Sequence, residues 1–256
     1  MSILLKIVLT GSLFFTFFSI ATAETPPLPT VHRDMILLKD ACYTMGSEEY
    51  IAEEPEHKVC LNGFFLDRNE TTQKQFESIM EFNPSRQKGD DLPVTNVTWS
   101  EAENYCRKLK LRLPTEAEWE FAARAGGKFS YSWGWDMDDA YAWYKTNSKD
   151  KLHPVGEKKP NGFGFYDLNG NVWEWVTDWY RPEYYETVSA KEPVENPIGP
   201  FTGQHMILRG GSYADDPFFL RSASRYWYPP NIRNEGLGFR CAGNPEEVII
   251  KTGAPK

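Results

Sequence analysis

The segment from Asp167 to Glu174, DLNGNVWE, concentrates oxygen atoms that could bind a metal ion. Carboxylates are available on Asp167 and Glu174, backbone carbonyls at Gly170 and Val172, and amide oxygens on the asparagines between them. Calcium takes about six to eight oxygen ligands in a flexible geometry, so the segment predicts a calcium site. The alternative is a tight turn without an ion, in which asparagine side chains bond the backbone.

A second polar group lies in the segment ADDPFFLRSASRYWYPPNIR, where acids and arginines are mixed with aromatic residues. Asp215, Asp216 and Arg225 could orient a polar ligand in a cleft lined by these aromatic side chains. The alternative is that the arginines form internal ion pairs and the aromatic residues complete the core. We favour this alternative for Arg225, and both remain open for Asp215 and Asp216.

The histidines do not predict a metal centre. They lie far apart in the sequence, at His32, His57, His153 and His205. A non-haem iron site would need two histidines and a carboxylate on one face. The sequence therefore argues against iron as a cofactor.

The chain has four cysteines, Cys42, Cys60, Cys106 and Cys241. An even number in an exported protein predicts two disulfides, and three pairings are open. A reactive cysteine would need an unpaired thiol or a labile bridge, so the structural role is favoured. The spacings do not match a zinc site, and no CxxC motif is present.

Residues 1–23 have the pattern of a signal peptide, in which Lys6 precedes an apolar run that ends in Ala21-Thr22-Ala23. That run is shorter than the roughly 20 residues of a membrane-spanning helix, and no other segment approaches this length. We therefore expect a periplasmic or secreted protein without a membrane span after removal of the signal. The formal net charge of −8 argues against nucleic acid as a partner.

The elements around these residues are short. Residues 24–34 are Pro-rich and predict a loose lead-in, and MILLKDACYTMGS and EHKVCLNGFFLDRNETT each predict a strand. Capping boxes predict three short helices that begin at Thr72, Ser100 and Thr115, and the second helix places Cys106 on its buried side. No helix is expected after Gly127. Residues 181–204 predict a long surface loop, and residues 244–256 a tail.

Five segments occur in an order that resembles the formylglycine-generating enzyme, or sulfatase-modifying factor, family: TNVTWSEAENYC, RLPTEAEWEFAARAG, PNGFGFYDLNGNVWEWVTDWY, LRGGSY and LGFRCAG. The resemblance covers residues 35–243. It implies a single α+β domain with the formylglycine-generating-enzyme fold, a variant of the C-type lectin fold that is rich in loops and short strands. It also supports calcium at the DLNGNVWE segment, where the family has a similar ligand pattern.

The resemblance also indicates what this chain lacks. Sulfatase-activating members oxidise a client cysteine to formylglycine with copper(I), held by two thiolates that follow the GGSY motif. Here no cysteine lies between Ser212 and Arg240, and Asp215 stands about where the first thiolate would be. A carboxylate cannot replace a thiolate at copper(I), so we expect neither copper nor the formylglycine reaction.

Other residues keep the family pattern. Trp173 and Ser212 match residues near the catalytic pocket of active members, and Tyr213 completes the GGSY motif. The resemblance also implies a disulfide between Cys106 and Cys241, which leaves Cys42 to pair with Cys60.

The missing thiolates favour an accessory module, stabilised by calcium, whose cleft near Ser212 to Asp216 binds a partner protein or a small polar ligand. One alternative is a periplasmic oxidoreductase of altered chemistry, similar to family members that act in siderophore or sulfur-compound maturation. The other is a sulfatase-activating formylglycine-generating oxidase. Whether the protein is an enzyme stays open on the sequence, and so do its oligomeric state and the identity of its ligand.

Overall fold

The computed structural model describes residues 30–191 and 193–251. The predicted signal peptide lies outside these residues. The described residues contain twelve strands: β1 Thr30–His32, β2 Met35–Leu38, β3 Ala41–Met45, β4 His57–Leu61, β5 Phe64–Asp67, β6 Trp173–Trp179, β7 Val194–Glu195, β8 Met206–Arg209, β9 Arg225–Tyr228, β10 Leu237–Gly238, β11 Ala242–Gly243 and β12 Ile249–Lys251. The helices are α1 Gln73–Met80, α2 Trp99–Lys108, α3 Glu116–Arg124 and α4 Tyr184–Ser189. No helix among the described residues is long and apolar enough to cross a bilayer.

The strands form four small sheets with the orders β10-β6-β8-β9, β11-β5-β2, β3-β4-β7 and β1-β12. Each of the two predicted strands is in fact two strands, which belong to different sheets. The breaks lie at polar turn residues, where the Asp40 carboxylate accepts a hydrogen bond of 2.7 Å from the Gly63 amide. Both expectations of a single strand were therefore wrong, because an apolar alternation does not reveal a change of sheet.

Two of the three predicted helix starts are confirmed. Thr72 and Thr115 each cap a helix, and Gln75 and Glu118 complete their capping boxes. The second start was wrong by two residues, because α2 is capped by Thr98 with Glu101 at the third position. Both pairs fit the same local pattern, but Thr98 has the extended backbone that a cap requires.

The chain after Gly127 contains a helix that the sequence did not predict. Helix α4 lies inside the segment expected to be a surface loop, and its Tyr185 is buried. The Tyr185 ring packs 4.5 Å from the His57 ring and 3.9 Å from the Arg225 guanidinium. These contacts come from distant parts of the chain, which explains why local propensity did not show the helix.

The two ends of the described chain also differ from expectation. Residues in the predicted lead-in and tail pair as β1 and β12 in a parallel sheet, and Val248 is buried. The pairing places Thr30 opposite Ile249, so it joins two segments from opposite ends of the described sequence.

The core contains many aromatic side chains, among which Trp119 and Trp175 are fully buried. Phe76, Tyr105 and Phe239 pack against one another next to the disulfide of Cys106 and Cys241. The second disulfide joins Cys42 and Cys60, and both pairings agree with the sequence prediction. Cys106 is fully buried, as its helical position indicated.

Helix α3 carries acids into this core. Glu120 forms ion pairs with Arg124 and Arg209, and Glu116 binds Arg225 with two bonds of 2.7 and 3.0 Å. All of these side chains are buried, so each charge depends on its partner. The network fixes α3 against β8 and β9, the strands that carry the loops of the candidate site.

Candidate functional site

A polar cleft of about 440 Å³ lies between one end of the sheet β10-β6-β8-β9 and the loop after β8. Four of the predicted pocket residues take part in its wall: Trp173, Ser212, Tyr213 and Asp215. They meet because β6 begins at Trp173 and its partner strand β8 ends at Arg209, just before the GGSY turn.

The turn after β8 requires glycine at two successive positions. Gly210 and Gly211 have φ values of +100° and +73°, which side chains with a Cβ rarely adopt. A Cβ on Gly210 would also lie 3.1 Å from the Trp119 ring. Glycine therefore lets the backbone at Gly210 lie against the Trp119 ring, just before Ser212 and Tyr213 of the cleft wall.

Asp215 is fixed through a single carboxylate oxygen. Its Oδ2 accepts hydrogen bonds from Trp173 Nε1 at 2.8 Å, from the Ser212 amide at 2.9 Å and from the Ser212 hydroxyl. No hydrogen bond from another described residue ends on Oδ1, and the side chain is half-buried. The cleft is thus offered an oriented anionic acceptor, which suits a hydrogen-bond donor or a cation on a ligand.

Tyr213 points partly inward. Its ring is 7% exposed, its amide donates to the Asn171 carbonyl over 2.8 Å, and its hydroxyl lies 3.5 Å from Gln87 Nε2. These contacts tie the cleft wall to the DLNGNVWE segment. Tyr213 therefore links the two predicted sites of the sequence.

The rim contains charged residues, of which the sequence had indicated only Arg233, in the segment ADDPFFLRSASRYWYPPNIR. Arg86 and Glu235 form an ion pair of 2.7 Å across 149 positions of sequence, and Arg233 bonds Glu101 over 2.6 Å. These pairs are partly exposed, so their charges are available to a ligand. Only the tertiary fold places Arg86 beside the cleft, and no local spacing could have indicated it.

Two predicted pocket residues lie elsewhere. Asp216 is exposed and pairs with Lys145 over 3.1 Å outside the cleft. Arg225 is 3% exposed and is held by Glu116 and by the Ala52 carbonyl. The internal ion pair that the sequence favoured for Arg225 is thus the one observed, and Arg225 does not line this cleft.

The two carboxylates predicted to bind calcium have different hydrogen-bond partners. Glu174 is buried, and its carboxylate accepts hydrogen bonds from Arg240 and from Trp119 Nε1. Oδ2 of Asp167 accepts a hydrogen bond of 2.7 Å from the Gly156 amide, while its buried Oδ1 has no hydrogen-bond partner among the described residues. An oxygen of this kind is one that a cation could satisfy.

The surroundings of Asp167 are rich in oxygen. Burial raises the pKa of Asp167 to about 6 and holds the pKa of the neighbouring Glu70 well above its ordinary value. Asn69 Oδ1 is also buried without a partner, and it would lie 3.1 Å from a Cβ on Gly156. Asp167 and Asn69 therefore fit a calcium ion, whereas Glu174 fits it poorly because Arg240 already neutralises its charge.

The backbone positions of the predicted set show a constrained turn. Gly170 has φ of +117°, and a Cβ there would meet the Trp143 carbonyl at 2.4 Å. Val172 is buried, and its amide donates a hydrogen bond of 3.1 Å to the Glu70 carboxylate. Glu70 and Asn69 were missed by the sequence because they lie about 100 positions away, in the segment before α1.

In residues 30–191 and 193–251 the side chains form no cluster of ligands for a metal ion of any kind, and this includes the carboxylates near Asp167. No group of three or more His, Cys, Asp or Glu side chains is placed there to hold a metal ion. His153 stacks on Trp143 at 3.6 Å, and His57 packs on Tyr185. No free cysteine is present among the described residues.

Comparison with known proteins places these features in context. A family model described as "Sulfatase-modifying factor enzyme 1-like domain" matches residues 21–245. A protein named serine/threonine-protein kinase pkn1 from Chlamydia pneumoniae is 35% identical over 252 residues, which are 88% of this chain and 40% of that protein. The formylglycine-generating enzyme of Streptomyces coelicolor is 39% identical over 172 residues, which are 60% of this chain and 53% of the enzyme. The match therefore spans about half or less of these relatives.

Solved structures with the same architecture include Treponema denticola variable protein 1, with a TM-score of 0.74 and 29% identity over 82% of this chain and 95% of that one. PvdO from Pseudomonas aeruginosa has a TM-score of 0.72 and 24% identity, over 85% of this chain and 99% of that one. The second likeness concerns the fold alone. Together they confirm the α+β fold that the sequence predicted, with a fourth helix added.

Proposed function

The chain belongs to the sulfatase-modifying factor enzyme 1-like family, and from this membership and its cleft we propose that it is an exported accessory module that binds a partner protein or a small polar ligand. One observation carries the proposal. A carboxylate, Asp215, is fixed by Trp173 and Ser212 and faces the cleft near the position where active relatives, by resemblance, hold copper with thiolates.

The chemistry of Asp215 supports binding rather than copper oxidation. Copper(I) prefers soft thiolate ligands, whereas a carboxylate is a hard ligand and a strong hydrogen-bond acceptor. All four cysteines are engaged in disulfides. Formylglycine formation by a copper bis-thiolate thus finds no support in the cleft.

The ligand should carry a donor or a positive charge for Asp215 and polar groups for the rim. Arg86, Arg233 and Glu235 lie on that rim, with charges of both signs. A primary ammonium or a guanidinium group fits the acceptor, because charge-assisted hydrogen bonds are the stronger ones. The proposed ligand class is therefore a polar molecule or polypeptide segment with a basic group.

Calcium is part of the proposal as a stabilising ion next to this cleft. Its support is the unpartnered Oδ1 of Asp167, together with the unpartnered amide oxygen of Asn69. The ion would supply positive charge beside Asp167 and Glu70, two buried carboxyl groups whose pKa values are raised, whereas Glu174 already bonds Arg240. Tyr213 and Asn171 connect this region to the cleft, so calcium would hold the cleft wall in place.

Export is also proposed. Two disulfides in a chain of this size are typical of a periplasmic or secreted protein, and the sequence pattern of residues 1–23 agrees with that location.

Two measurements on the purified protein test the proposed function. The first titrates n-butylammonium and methylguanidinium and follows the Trp173 indole N–H resonance, which should shift saturably. The second incubates the protein with copper and a cysteine-containing sulfatase peptide, and no aldehyde should form. Aldehyde formation would overturn the proposal in favour of the oxidase, and the lack of any probe-dependent shift would remove its support.

A further inference from the structure

The disulfide between Cys42 and Cys60 differs from the other bridge in its exposure. Cys42 is exposed on β3, which is an edge strand of the sheet β3-β4-β7, and Cys60 is half-buried on the central strand. Cys106 and Cys241, by contrast, have no exposed surface. A thiol in solution can therefore reach the sulfur of Cys42 but cannot reach the second bridge.

The strands that carry this bridge do not depend on it for their pairing. Cys42 and Cys60 are directly opposed in a ladder that runs from Ala41 opposite Leu61 to Met45 opposite His57. The inner face of the hairpin is buried at Met45, and the Tyr43 hydroxyl donates 2.8 Å to the Ala117 carbonyl. Because hydrogen bonds and packing already close this loop, the hairpin should persist when the bridge is open.

The outer face of the hairpin provides a setting for thiolate chemistry. Lys58 lies opposite Thr44 and on the same exposed face as both sulfurs. Cys42 and Lys58 also line a cavity of about 390 Å³, together with the exposed Lys128 and the ring of Phe121. The cavity also contains the carboxylate of Glu56, so the two lysines outnumber the acid. Their positive charge attracts an incoming thiolate, which is the species that attacks in exchange.

Acidic groups on the same sheet distinguish the two sulfurs. Glu195 of β7 is the register partner of Cys60, on the side away from Cys42. Arg124 also lines the cavity, but its charge is bound by Glu120. Cys42 is thus the exposed cysteine that lines the cavity, and Cys60 is the half-buried one beside Glu195.

We infer that the Cys42–Cys60 bridge is a thiol–disulfide exchange site for a dithiol partner, and that the partner attacks Cys42. The partner's thiolate forms a new S–S bond to Cys42, and the electron pair of the old bond leaves on Cys60, which takes a proton from water. The partner's second thiolate then attacks its own sulfur in this mixed disulfide, and Cys42 leaves as a thiolate. Two electrons pass from the dithiol to the bridge, and the reverse sequence oxidises a reduced partner.

The test uses the folded wild-type protein and dithiothreitol as the dithiol probe. After brief incubation at increasing concentrations, free thiols are blocked with N-ethylmaleimide and located by peptide mass spectrometry. Cys42 and Cys60 should be labelled at concentrations at least about tenfold below those that label Cys106 and Cys241. Simultaneous reduction of both bridges, or no reduction without denaturant, would overturn the inference.

Two further measurements assign the attacked sulfur and the role of the lysine. Oxidised glutathione should cap Cys42 in the Cys60→Ser variant about tenfold faster than it caps Cys60 in the Cys42→Ser variant. Lys58→Gln should slow reduction of the wild-type bridge severalfold, while Lys151→Gln, at an exposed position outside the cavity, should not. Equal capping rates, or equal effects of the two lysine variants, would count against attack at Cys42.

Discussion

The indole nitrogen of Trp173 donates a hydrogen bond of 2.8 Å to Oδ2 of Asp215, and this bond joins the first residue of β6 to the loop after β8. The contact spans 42 positions of sequence and leaves Oδ1 of Asp215, a residue of the cleft wall, without a hydrogen bond from another described residue. The same indole packs 5.6 Å from the Tyr226 ring, so its orientation is fixed from two sides. Asp215 therefore has a defined direction before any ligand arrives.

The Asp215→Asn variant tests that direction. Its amide oxygen can keep the bonds from Trp173 and Ser212, while the cleft receives an amide N–H₂ in place of the anionic oxygen. We expect the affinity for n-butylammonium to fall at least about tenfold, or about 1.4 kcal/mol, with unchanged thermal stability. Asp216→Asn is the matched control, because Asp216 pairs with Lys145 outside the cleft and its loss should leave the affinity unchanged.

The buried acids of α3 predict a large effect on stability. Glu120 lies between Arg124 and Arg209, and all three side chains are buried. Glu120→Gln leaves Arg124 without its counterion and leaves Arg209 only the longer contact of 3.6 Å with Glu116, so the free energy of unfolding should fall by about 3–5 kcal/mol. Glu101→Gln removes the charge from a partly exposed pair with Arg233, while Gln can still accept the capping-box hydrogen bond of α2, so the free energy should change by less than about 1 kcal/mol. Urea unfolding of both variants measures the contrast, and similar losses would contradict it.

Local patterns in the sequence predicted the parts of this fold that depend on neighbouring residues. Thr72 and Thr115 cap helices through bonds three positions away, and both starts were predicted. Helix α4 depends on the contacts of Tyr185 with His57 and Arg225, which are invisible in the segment itself. The helix that the sequence did not predict therefore depends on contacts between distant residues rather than on local helix propensity.

The candidate site also contains residues that the sequence predicted and residues that it missed. The wall residues Trp173, Ser212, Tyr213 and Asp215 could be predicted because they lie in three recognisable segments, PNGFGFYDLNGNVWEWVTDWY, LRGGSY and ADDPFFLRSASRYWYPPNIR. The ion pair of Arg86 with Glu235 could not, since the two residues are 149 positions apart. Asn69 was missed as well, because its proximity to Gly156 depends on the packing of separate loops.

Asp178 predicts a pH dependence of stability. Burial, together with the nearby Glu116 carboxylate, raises the pKa of Asp178 to about 7, whereas an unfolded aspartate titrates near pH ~3.9. Between these values the folded protein keeps a proton that the unfolded chain has lost. The contribution of Asp178 to the free energy of unfolding therefore falls as the pH rises, and the loss is complete above about pH 7.

The Asp178→Asn variant removes this titration. Its stability relative to wild type should rise between about pH 4 and pH 7, and should exceed the wild-type value at pH 8 by at most about 4 kcal/mol. Denaturant unfolding at several pH values measures the difference. A pH-independent difference between the two proteins would show that Asp178 does not carry the proton.

Calcium addition is expected to stabilise the protein through Asp167. Its Oδ1 is buried without a partner, and a bound ion would satisfy that oxygen in the folded state but not in the unfolded chain. At a calcium concentration of about 100 times the dissociation constant, the gain in unfolding free energy should be about 2.7 kcal/mol. Magnesium should give a smaller gain, because it requires a stricter octahedral geometry.

The control for calcium keeps the shape of the site and changes its charge. Asp167→Asn can still accept from the Gly156 amide, but it lacks the anionic oxygen, so calcium should no longer raise the melting temperature. Glu157→Gln changes an exposed acid near the same loop, and this variant should keep the full response to calcium. Metal-free protein, dialysed and then titrated with calcium chloride, provides the baseline for each melting curve. A wild-type melting temperature that does not change with calcium would rule out the ion, and an unchanged response in Asp167→Asn would place it elsewhere.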